Sequence, residues 1–200
     1  MLKVKKFQTG RLKTNSYVLH DNDKRSFIID PASAYELIIN FVRKNDLNVK
    51  GIIATHGHFD HVGQSSKLKE VLNSPFFLHE KDEELLEHLP FYLGLIEKDL
   101  EAQIPLIDFY PIKNSVHLNN QQIKIIYTPG HTLGSICIRI GNILFTGDTI
   151  FKGGIGSVDE YWGNSKLMLD SIELLRSLPG NLTILPGHGE KAILKEALSK

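Results

Sequence analysis

The sequence lacks the features that mark several large classes of protein. It has one cysteine, Cys137, which excludes an intramolecular disulfide framework and suits a reducing compartment. It has no run of about 20 apolar residues, the length that a membrane-spanning helix needs, and no signal-like apolar stretch follows its basic N-terminus. Basic and acidic residues number 23 each, so charge gives no reason to expect a nucleic acid or an anionic membrane as partner. We therefore expect a cytoplasmic protein with neither of these partners, and the sequence leaves its oligomeric state open.

Segments with the pattern of strands and of helices alternate along the chain in two similar blocks. Short apolar segments between polar turns predict the strands: LKVKKF, SYVLH, SFIID, VKGIIAT and SPFFLH first, then QIKIIYTPGH, ICIRI, ILFTGD and LTILPGH. Gly141-Asn142 predicts a two-residue hairpin turn between ICIRI and ILFTGD. This pattern in 200 residues predicts a single α/β domain over residues 1–200, with two sheets packed face to face and helices outside.

The helices are predicted by apolar residues at helical spacing. SAYELIINFVRKNDL has Ser33 and Glu36 in the positions of a capping box, and residues 64–72, 165–178 and 191–198 follow the same periodicity. In residues 80–110 the periodic segments EKDEELLEHL and LGLIEKDLEAQI are interrupted by prolines. That segment is either an inserted helical cap or further helix that packs on the core.

Nine histidines are the unusual feature of the composition, and several of them stand where predicted strands end. His56 follows VKGIIAT, His131 follows IKIIYTPG, Asp148 ends ILFTGD and His188 follows LTILPG. Loops at the ends of strands in a rigid sheet are where functional residues concentrate. With the rest of the stretch HGHFDH, the candidate metal ligands are His56, His58, Asp60, His61, His131, Asp148 and His188.

The chemistry of these side chains narrows the metal and the reaction. Imidazole and carboxylate suit zinc, iron and manganese, and no cysteine lies within the clusters. Seven ligands are too many for one tetrahedral zinc, which takes three protein ligands when it is catalytic. Shared between two ions, with one carboxylate bridging, they would hold a hydroxide and polarise a carbonyl group. We therefore predict two divalent metal ions per chain, zinc or else iron or manganese, and hydrolytic chemistry.

HGHFDH followed in order by TPGHT, TGD and PGH resembles the metallo-β-lactamase superfamily, and most of all its small glyoxalase II-type (hydroxyacylglutathione hydrolase-like) enzymes. The resemblance implies a four-layer αβ/βα sandwich of two mixed sheets flanked by helices. It also implies that His56, His58 and His131 hold one metal, that Asp60, His61 and His188 hold the other, and that Asp148 bridges them. Asp60 and Asp148 would be the catalytic carboxylates, and a metal-bridging hydroxide would attack an acyl thioester.

The sequence departs from glutathione-binding relatives at two positions. Ser157 stands where those enzymes tend to have a basic residue, and Glu190 replaces a tyrosine of their thiol site. A thioester of another thiol, or a lactone or other ester, is therefore an open alternative. A second alternative is a persulfide dioxygenase, which would bind one iron through His56, His131 and Asp148. Class B β-lactamases lack the bridging aspartate, and a purely binding role would give no reason to keep seven ligands.

Other residues have weaker functional signals. Phe151, Lys152, Tyr161 and Trp162 follow Asp148 and are predicted to line the mouth of a substrate pocket, although the aromatic ones would equally pack on a helix. Aromatic residues that either line a channel or belong to the core are Phe91, Tyr92, Phe109 and Tyr110. We interpret His20, His79, His88 and His117 as structural or surface residues, and Cys137 as a small side chain in a strand. Asp30 and Thr132 are predicted to be turn residues or hydrogen-bond partners of the ligands.

Overall fold

Two β-sheets form the centre of the fold. The computed structural model describes residues 1–98, 100, 103–108, 116–118 and 121–199. The first sheet consists of β1 (Lys3–Thr9), β2 (Thr14–His20), β3 (Arg25–Ile29), β4 (Asn48–Ile53) and β5 (Phe76–Phe77), in that order. The later strands are β6 (Val116–Leu118), β7 (Gln121–Tyr127), β8 (Ile136–Ile140), β9 (Ile143–Gly147), β10 (Ile150–Phe151), β11 (Gly154–Ile155), β12 (Thr183–Pro186) and β13 (Ala192–Ile193). The second sheet has the order β13-β12-β9-β8-β7-β6, and β10 and β11 form a separate small hairpin.

Helices cover the outer face of each sheet. On the first sheet lie α1 (Tyr35–Lys44), α2 (Phe59–Val62), α3 (Ser65–Leu72), α4 (Glu83–Glu87) and α5 (Leu89–Ile96), with a 3-10 turn at Glu80–Asp82. On the second lie α6 (Ser165–Arg176) and α7 (Leu194–Ala197). Among the described residues no helix is both long and apolar enough to cross a bilayer.

The alternation of side chains along the strands accounts for the layers. In β2, Val18 points to the helices of the first sheet, while Tyr17 and Leu19 point to the second sheet. Ile52 and Ile53 of β4 divide in the same way. Strands with two buried faces have continuous apolar runs. The layers of this fold therefore follow the order helix, sheet, sheet and helix. The predicted four-layer sandwich is confirmed.

Parallel pairing brings several strand ends to one edge of the sandwich. β4 is parallel to β3 and β5 in the first sheet, and β9 is parallel to β12 in the second. The amide N–H of Ile136 donates to the carbonyl of Thr55 over 2.9 Å and joins the two sheets at this edge. The loops that follow β4, β9 and β12 therefore meet there.

The predicted capping box is wrong. Helix α1 begins at Tyr35 after Ala34, and no side chain caps it. The amide N–H of Tyr35 instead donates to Oε1 of Gln64, over 3.1 Å. Because a residue at the start of α3 satisfies this N–H, Ser33 is not needed as a cap.

The prediction of a helix over residues 191–198 is correct only in part. Ala192 and Ile193 pair with β12 as an added edge strand, so the helix is limited to α7. The hairpin turn is confirmed, since β8 and β9 are antiparallel and Gly141 has a φ of 55°.

In residues 80–110 the second predicted helix, LGLIEKDLEAQI, is correct only over residues 93–96, and residues 99, 101 and 102 of it lie outside the described residues. The helix α5 ends at Ile96, Glu97 leaves helical geometry, and residues 103–108 form no helix. The carboxylate of Glu97 accepts the amide N–H of Arg11 over 2.5 Å, which ties this bend to the β1–β2 turn. Leu86, Leu89 and Leu93 are buried in the core of the first sheet, so the described part of the segment packs on that core.

Candidate metal centre

Seven ligand side chains meet at this edge of the sandwich in two groups. In the first group, Nδ1 of His58 lies 3.1 Å from Nε2 of His56 and 2.9 Å from Nε2 of His131. In the second group, Nε2 of His188 lies 3.3 Å from Oδ2 of Asp60 and 3.4 Å from Nε2 of His61. All seven residues predicted as ligands from the sequence are thus brought together.

Asp148 lies between the two groups. Its Oδ1 is 3.5 Å from Nε2 of His61, and its Oδ2 is 3.7 Å from Nε2 of His131 and 3.4 Å from Nε2 of His188. The Oδ1 atom is buried and has no hydrogen-bond partner among the described residues. A buried carboxylate oxygen without a partner is costly; this one faces Nε2 of His61, while Oδ2 of the same carboxylate faces imidazole nitrogens of both groups.

Each of the five imidazoles directs one nitrogen into the cluster and places the other nitrogen within 3.1 Å of an oxygen atom. These outer oxygens belong, in the order of the histidines, to the Thr55 hydroxyl, the Asp159 carboxylate, the Asp30 carboxylate, the Ser157 carbonyl and the Leu12 carbonyl. Metal-binding histidines almost always donate their second N–H to such an oxygen, which fixes the tautomer and the ring. At His61 the contact of Nδ1 with Asp30 has the distance of an ion pair but not the geometry of a hydrogen bond.

The spacing of the inner atoms agrees with metal ligation. A tetrahedral zinc at about 2.0–2.1 Å from each nitrogen would hold those nitrogens roughly 3.3–3.4 Å apart. The second group matches this separation, and the first group is a few tenths of an ångström tighter. Together with the unpartnered oxygen of Asp148, this shows that the residues fit two metal ions.

Without a bound metal, the pKa is lowered for two of the candidate ligand histidines and raised for two others. Burial lowers the pKa of His56 well below its usual value, and burial likewise lowers the pKa of His131 despite the nearby Asp148. Burial has the same tendency at His61 and His188, but the carboxylates around them outweigh it and raise the pKa to about 9 and about 10, respectively. A metal entering the second group must therefore displace protons, as is general for histidine ligands.

The two ligand carboxylates stay ionised. Burial raises the pKa of Asp60, but His61, His188 and the hydroxyl of Thr14 more than offset it and bring the pKa below the usual range. Thr14 Oγ1 donates to Asp60 Oδ2 over 2.6 Å. For Asp148, too, the neighbouring imidazoles outweigh burial, so its pKa is lowered.

Asp82 joins the two loops that carry the first group of ligands. Its side chain is fully buried and accepts the amide N–H of Gly57 over 2.8 Å, the hydroxyl of Thr132 over 2.7 Å and the amide N–H of Gly134 over 2.6 Å. Burial raises the pKa of Asp82, and these three donors oppose the rise. Sequence reasoning missed this residue, because an acid in EKDEELLEHL resembles any acid near the start of a helix.

Glycine is required where the last ligand loop crosses the centre. A Cβ on Gly187 would lie 2.5 Å from Cε1 of His61 and in contact with Asp148 Oδ1. The glycine before His188 therefore keeps space between two ligands rather than only allowing a turn.

The predicted pocket residues lie in different places. Trp162 lines a cavity of about 290 Å³ over the ligand cluster, and the Phe151 ring lies 6.3 Å from that of His188. Lys152 pairs with Glu190 over 2.5 Å in an exposed ion pair, and Tyr161 is 79% exposed. The structure thus brings Trp162, but neither Lys152 nor Tyr161, into the cavity lining.

The remaining aromatic and polar candidates can also be placed. Tyr92 lines the cavity, while Phe91 is 67% exposed. Asp30 lies against His61, and Thr132 contacts Asp82 and Ser135 rather than a ligand. Phe109, Tyr110 and the side chain of His117 lie outside the described residues.

The other histidines lie outside the ligand cluster. Nδ1 of His79 accepts the amide N–H of Lys81, and its ring stacks on Tyr127. His20 contacts the ring of Phe41, and His88 that of Trp162.

Comparison with known proteins identifies the family. A sequence model described as the metallo-beta-lactamase superfamily matches residues 9–188. The chain belongs to this superfamily. Hydroxyacylglutathione hydrolase GloC of Haemophilus influenzae is 34% identical over 182 residues, covering 88% of this chain and 85% of that protein.

Two solved structures of the superfamily resemble this one over nearly their whole length. BLEG-1, described as a B3 metallo-beta-lactamase, superposes with a TM-score of 0.87 at 28% identity, covering 99% of this chain and 97% of that one. TTHA1623, solved in a di-iron-bound form, superposes with a TM-score of 0.83 at 28% identity, covering 96% of each chain.

Proposed function

We propose that this protein is a dinuclear metal-dependent hydrolase of the glyoxalase II type that cleaves an acyl thioester. The position of Asp148 carries the proposal, since its two oxygens face ligand nitrogens of both groups. The similarity to GloC, named a hydroxyacylglutathione hydrolase, supports a thioester. TTHA1623, which was solved with two irons, supports two metal ions, and zinc or manganese would suit the same ligands.

Two metal ions held by these residues would polarise the scissile carbonyl and make a water molecule nucleophilic at neutral pH. Asp60 and Asp148 are anionic and can each accept a hydrogen bond from the attacking water and so orient it. Thr14 holds Asp60 in place for this role. In the reaction, oxygen from water is added to the carbonyl carbon, the C–S bond breaks, and the sulfur leaves as a thiol.

The first experiment is elemental analysis of protein purified without added metal. We expect about two equivalents of zinc, iron or manganese per chain, and we expect His56→Ala and His188→Ala each to lose about one. His20→Ala, which removes a histidine outside the cluster, is the matched control and should lose none. A single equivalent that His188→Ala leaves intact would contradict a dinuclear centre.

The second experiment is a substrate panel on the same preparation. It comprises S-lactoylglutathione, neutral thioesters, a homoserine lactone, a cephalosporin (because of the similarity to BLEG-1) and glutathione persulfide with oxygen uptake recorded. We expect thioester hydrolysis and its loss in Asp60→Asn. Oxygen uptake with persulfide by a one-iron enzyme would instead identify a dioxygenase that uses His56, His131 and Asp148.

A further inference from the structure

The cavity over the ligand cluster has a polar floor and apolar walls. His58, Asp60, Asp148 and His188 lie at its floor, and Asp159 beside them is bonded to His58. The rest of its lining consists of Leu12, Gly57, Phe59, Leu85, Tyr92 and Trp162. Its volume of about 290 Å³ is near the lower end of small-molecule sites, so it suits one compact group next to the reacting bond.

Aromatic rings form two of these walls. Tyr92 of α5 stacks on Phe59 with ring centres 5.9 Å apart and planes 20° apart, and it meets Phe91 edge-on at 5.3 Å. The ring of Trp162, which also lines the cavity, contacts that of Tyr161, with ring centres 5.8 Å apart. Flat, rigid surfaces of this kind bind apolar groups by burial and by ring contacts.

Leu12 also lines the cavity and is 47% exposed, although it is apolar. It lies on the turn between β1 and β2, which the bond from Arg11 N–H to Glu97 joins to the bend after α5. An apolar side chain exposed beside an aromatic wall is what a site for an apolar ligand requires.

The charges of the cavity do not favour an anionic substrate group. Among the residues that the structure describes, no lysine or arginine lines the cavity. Lys152 is already paired with Glu190. A carboxylate of glutathione that entered this cavity would lose hydration without gaining a lysine or arginine partner from the described lining, and it would compete with the scissile carbonyl for the proposed metal ions.

We infer that the site selects esters and thioesters whose acyl group is apolar and uncharged, aromatic or branched aliphatic, and that Tyr92, Trp162 and Leu12 bind this group. The inference rests on the proposed hydrolase function and names its substrate class. The thiol then extends toward solvent, and its charge has little influence on the rate.

Four thioesters that combine two acyl groups with two thiols test the inference. The acyl groups are phenylacetyl and lactoyl, and the thiols are N-acetylcysteamine, which is neutral, and glutathione, which is anionic. We expect kcat/KM to be at least about 10-fold higher for phenylacetyl than for lactoyl with either thiol, and to change less than about threefold between thiols. Tyr92→Ala and Trp162→Ala should each remove most of the phenylacetyl preference, mainly through a higher KM for the phenylacetyl thioesters, and should leave metal content unchanged.

The control variant is Arg11→Gln combined with Lys13→Gln, which removes the two cations beside Leu12. It should leave all four rates unchanged. A preference for S-lactoylglutathione, or a loss of glutathione thioester turnover in the control variant, would overturn the inference and leave the hydrolase proposal standing. Failure of all four thioesters with two metals bound would overturn both.

Discussion

At the scale of single residues, the geometry of the candidate metal centre depends on side chains that are not themselves candidate ligands. Asp82 is the clearest case, because it accepts hydrogen bonds from the loop after β4 and from the loop that carries His131. Those two loops supply all three ligands of the first group. The distances between the inner nitrogens of that group therefore depend on one buried carboxylate.

We predict that Asp82→Asn weakens metal binding at the first group while sparing the second. The amide can accept on one side only, so an N–H of Gly57 or Gly134 is left facing an NH2 group. Loss of such an outer partner typically weakens metal affinity about 10- to 100-fold. Chelator competition on both metals measures the effect. Thr14→Val, which removes the donor to Asp60, is the counterpart and should weaken the second group; identical losses at both groups in both variants would contradict the assignment.

The buried thiol gives a prediction about pH. Burial raises the pKa of the Cys137 thiol to about 11, from an ordinary value of 9.0. Between these values the folded chain holds a proton that the unfolded chain has lost, so stability falls as pH rises from 9 to 11. Relative to Cys137→Ala, the unfolding free energy should fall by about 2 kcal/mol between pH 8 and 10.5. Denaturant titrations at the two pH values measure this difference, and native Cys137 should resist iodoacetamide at pH 8.

At the scale of elements, the loop before His131 is held by its contact with α6. Gly130 has a φ of 148°, and a Cβ there would lie 2.6 Å from Cβ and N of Met168. The backbone N–H of Asn164, whose side chain caps α6, donates to the carbonyl of Gly130 over 2.9 Å. Helix α6 therefore determines where the ligand loop can lie.

We predict that Gly130→Ala destabilises the fold by about 1–3 kcal/mol through backbone strain and overpacking. It should also lower metal content at the first group, because the loop must move away from α6. Gly153→Ala is the matched control, since its Cβ would have no atom of the described residues within 4 Å. Thermal unfolding with elemental analysis reads both effects, and equal behaviour of the two variants would contradict this role for Gly130.

At the scale of the whole molecule, the centre joins the two halves of the chain. The first half supplies His56, His58, Asp60 and His61, and the second supplies the other three ligands. A ligand that binds only the folded chain stabilises it by mass action. Metal ions at this interface would therefore hold the two sheets together.

We predict that removing metal with a chelator lowers the melting temperature. At a free metal concentration of about 100 times Kd, each ion contributes about 2.7 kcal/mol. Restoring zinc should restore the melting temperature in the wild type and in His20→Ala, but only in part in His188→Ala. Calorimetry at fixed protein concentration measures the change in melting temperature. An unchanged melting temperature on metal removal would contradict a centre that links the sheets.

Much of this architecture could be predicted from local patterns. Alternating apolar segments, turn residues and the order HGHFDH, TPGHT, TGD and PGH were enough to predict nine of the thirteen described strands, the four layers and the seven candidate ligands, but not the short strands β6, β10, β11 and β13. These signals are local because a strand, a turn or a ligand loop is encoded by adjacent residues. The capping box was wrong because a distant residue, Gln64, accepts the N–H of Tyr35. The described chain leaves the helix after Ile96, where the carboxylate of Glu97 accepts an N–H of the β1–β2 turn.

Only the tertiary structure decided which residues surround the ligands and the cavity. Asp82, Asp159 and Leu12 have no sequence pattern of their own, since burial, hydrogen bonding and cavity lining depend on segments far apart in the chain. The pairing of Lys152 with Glu190 rather than with a substrate is of the same kind. The sequence by itself determined which candidate ligand side chains are available. The packing of the two sheets determined which residues surround them and line the cavity.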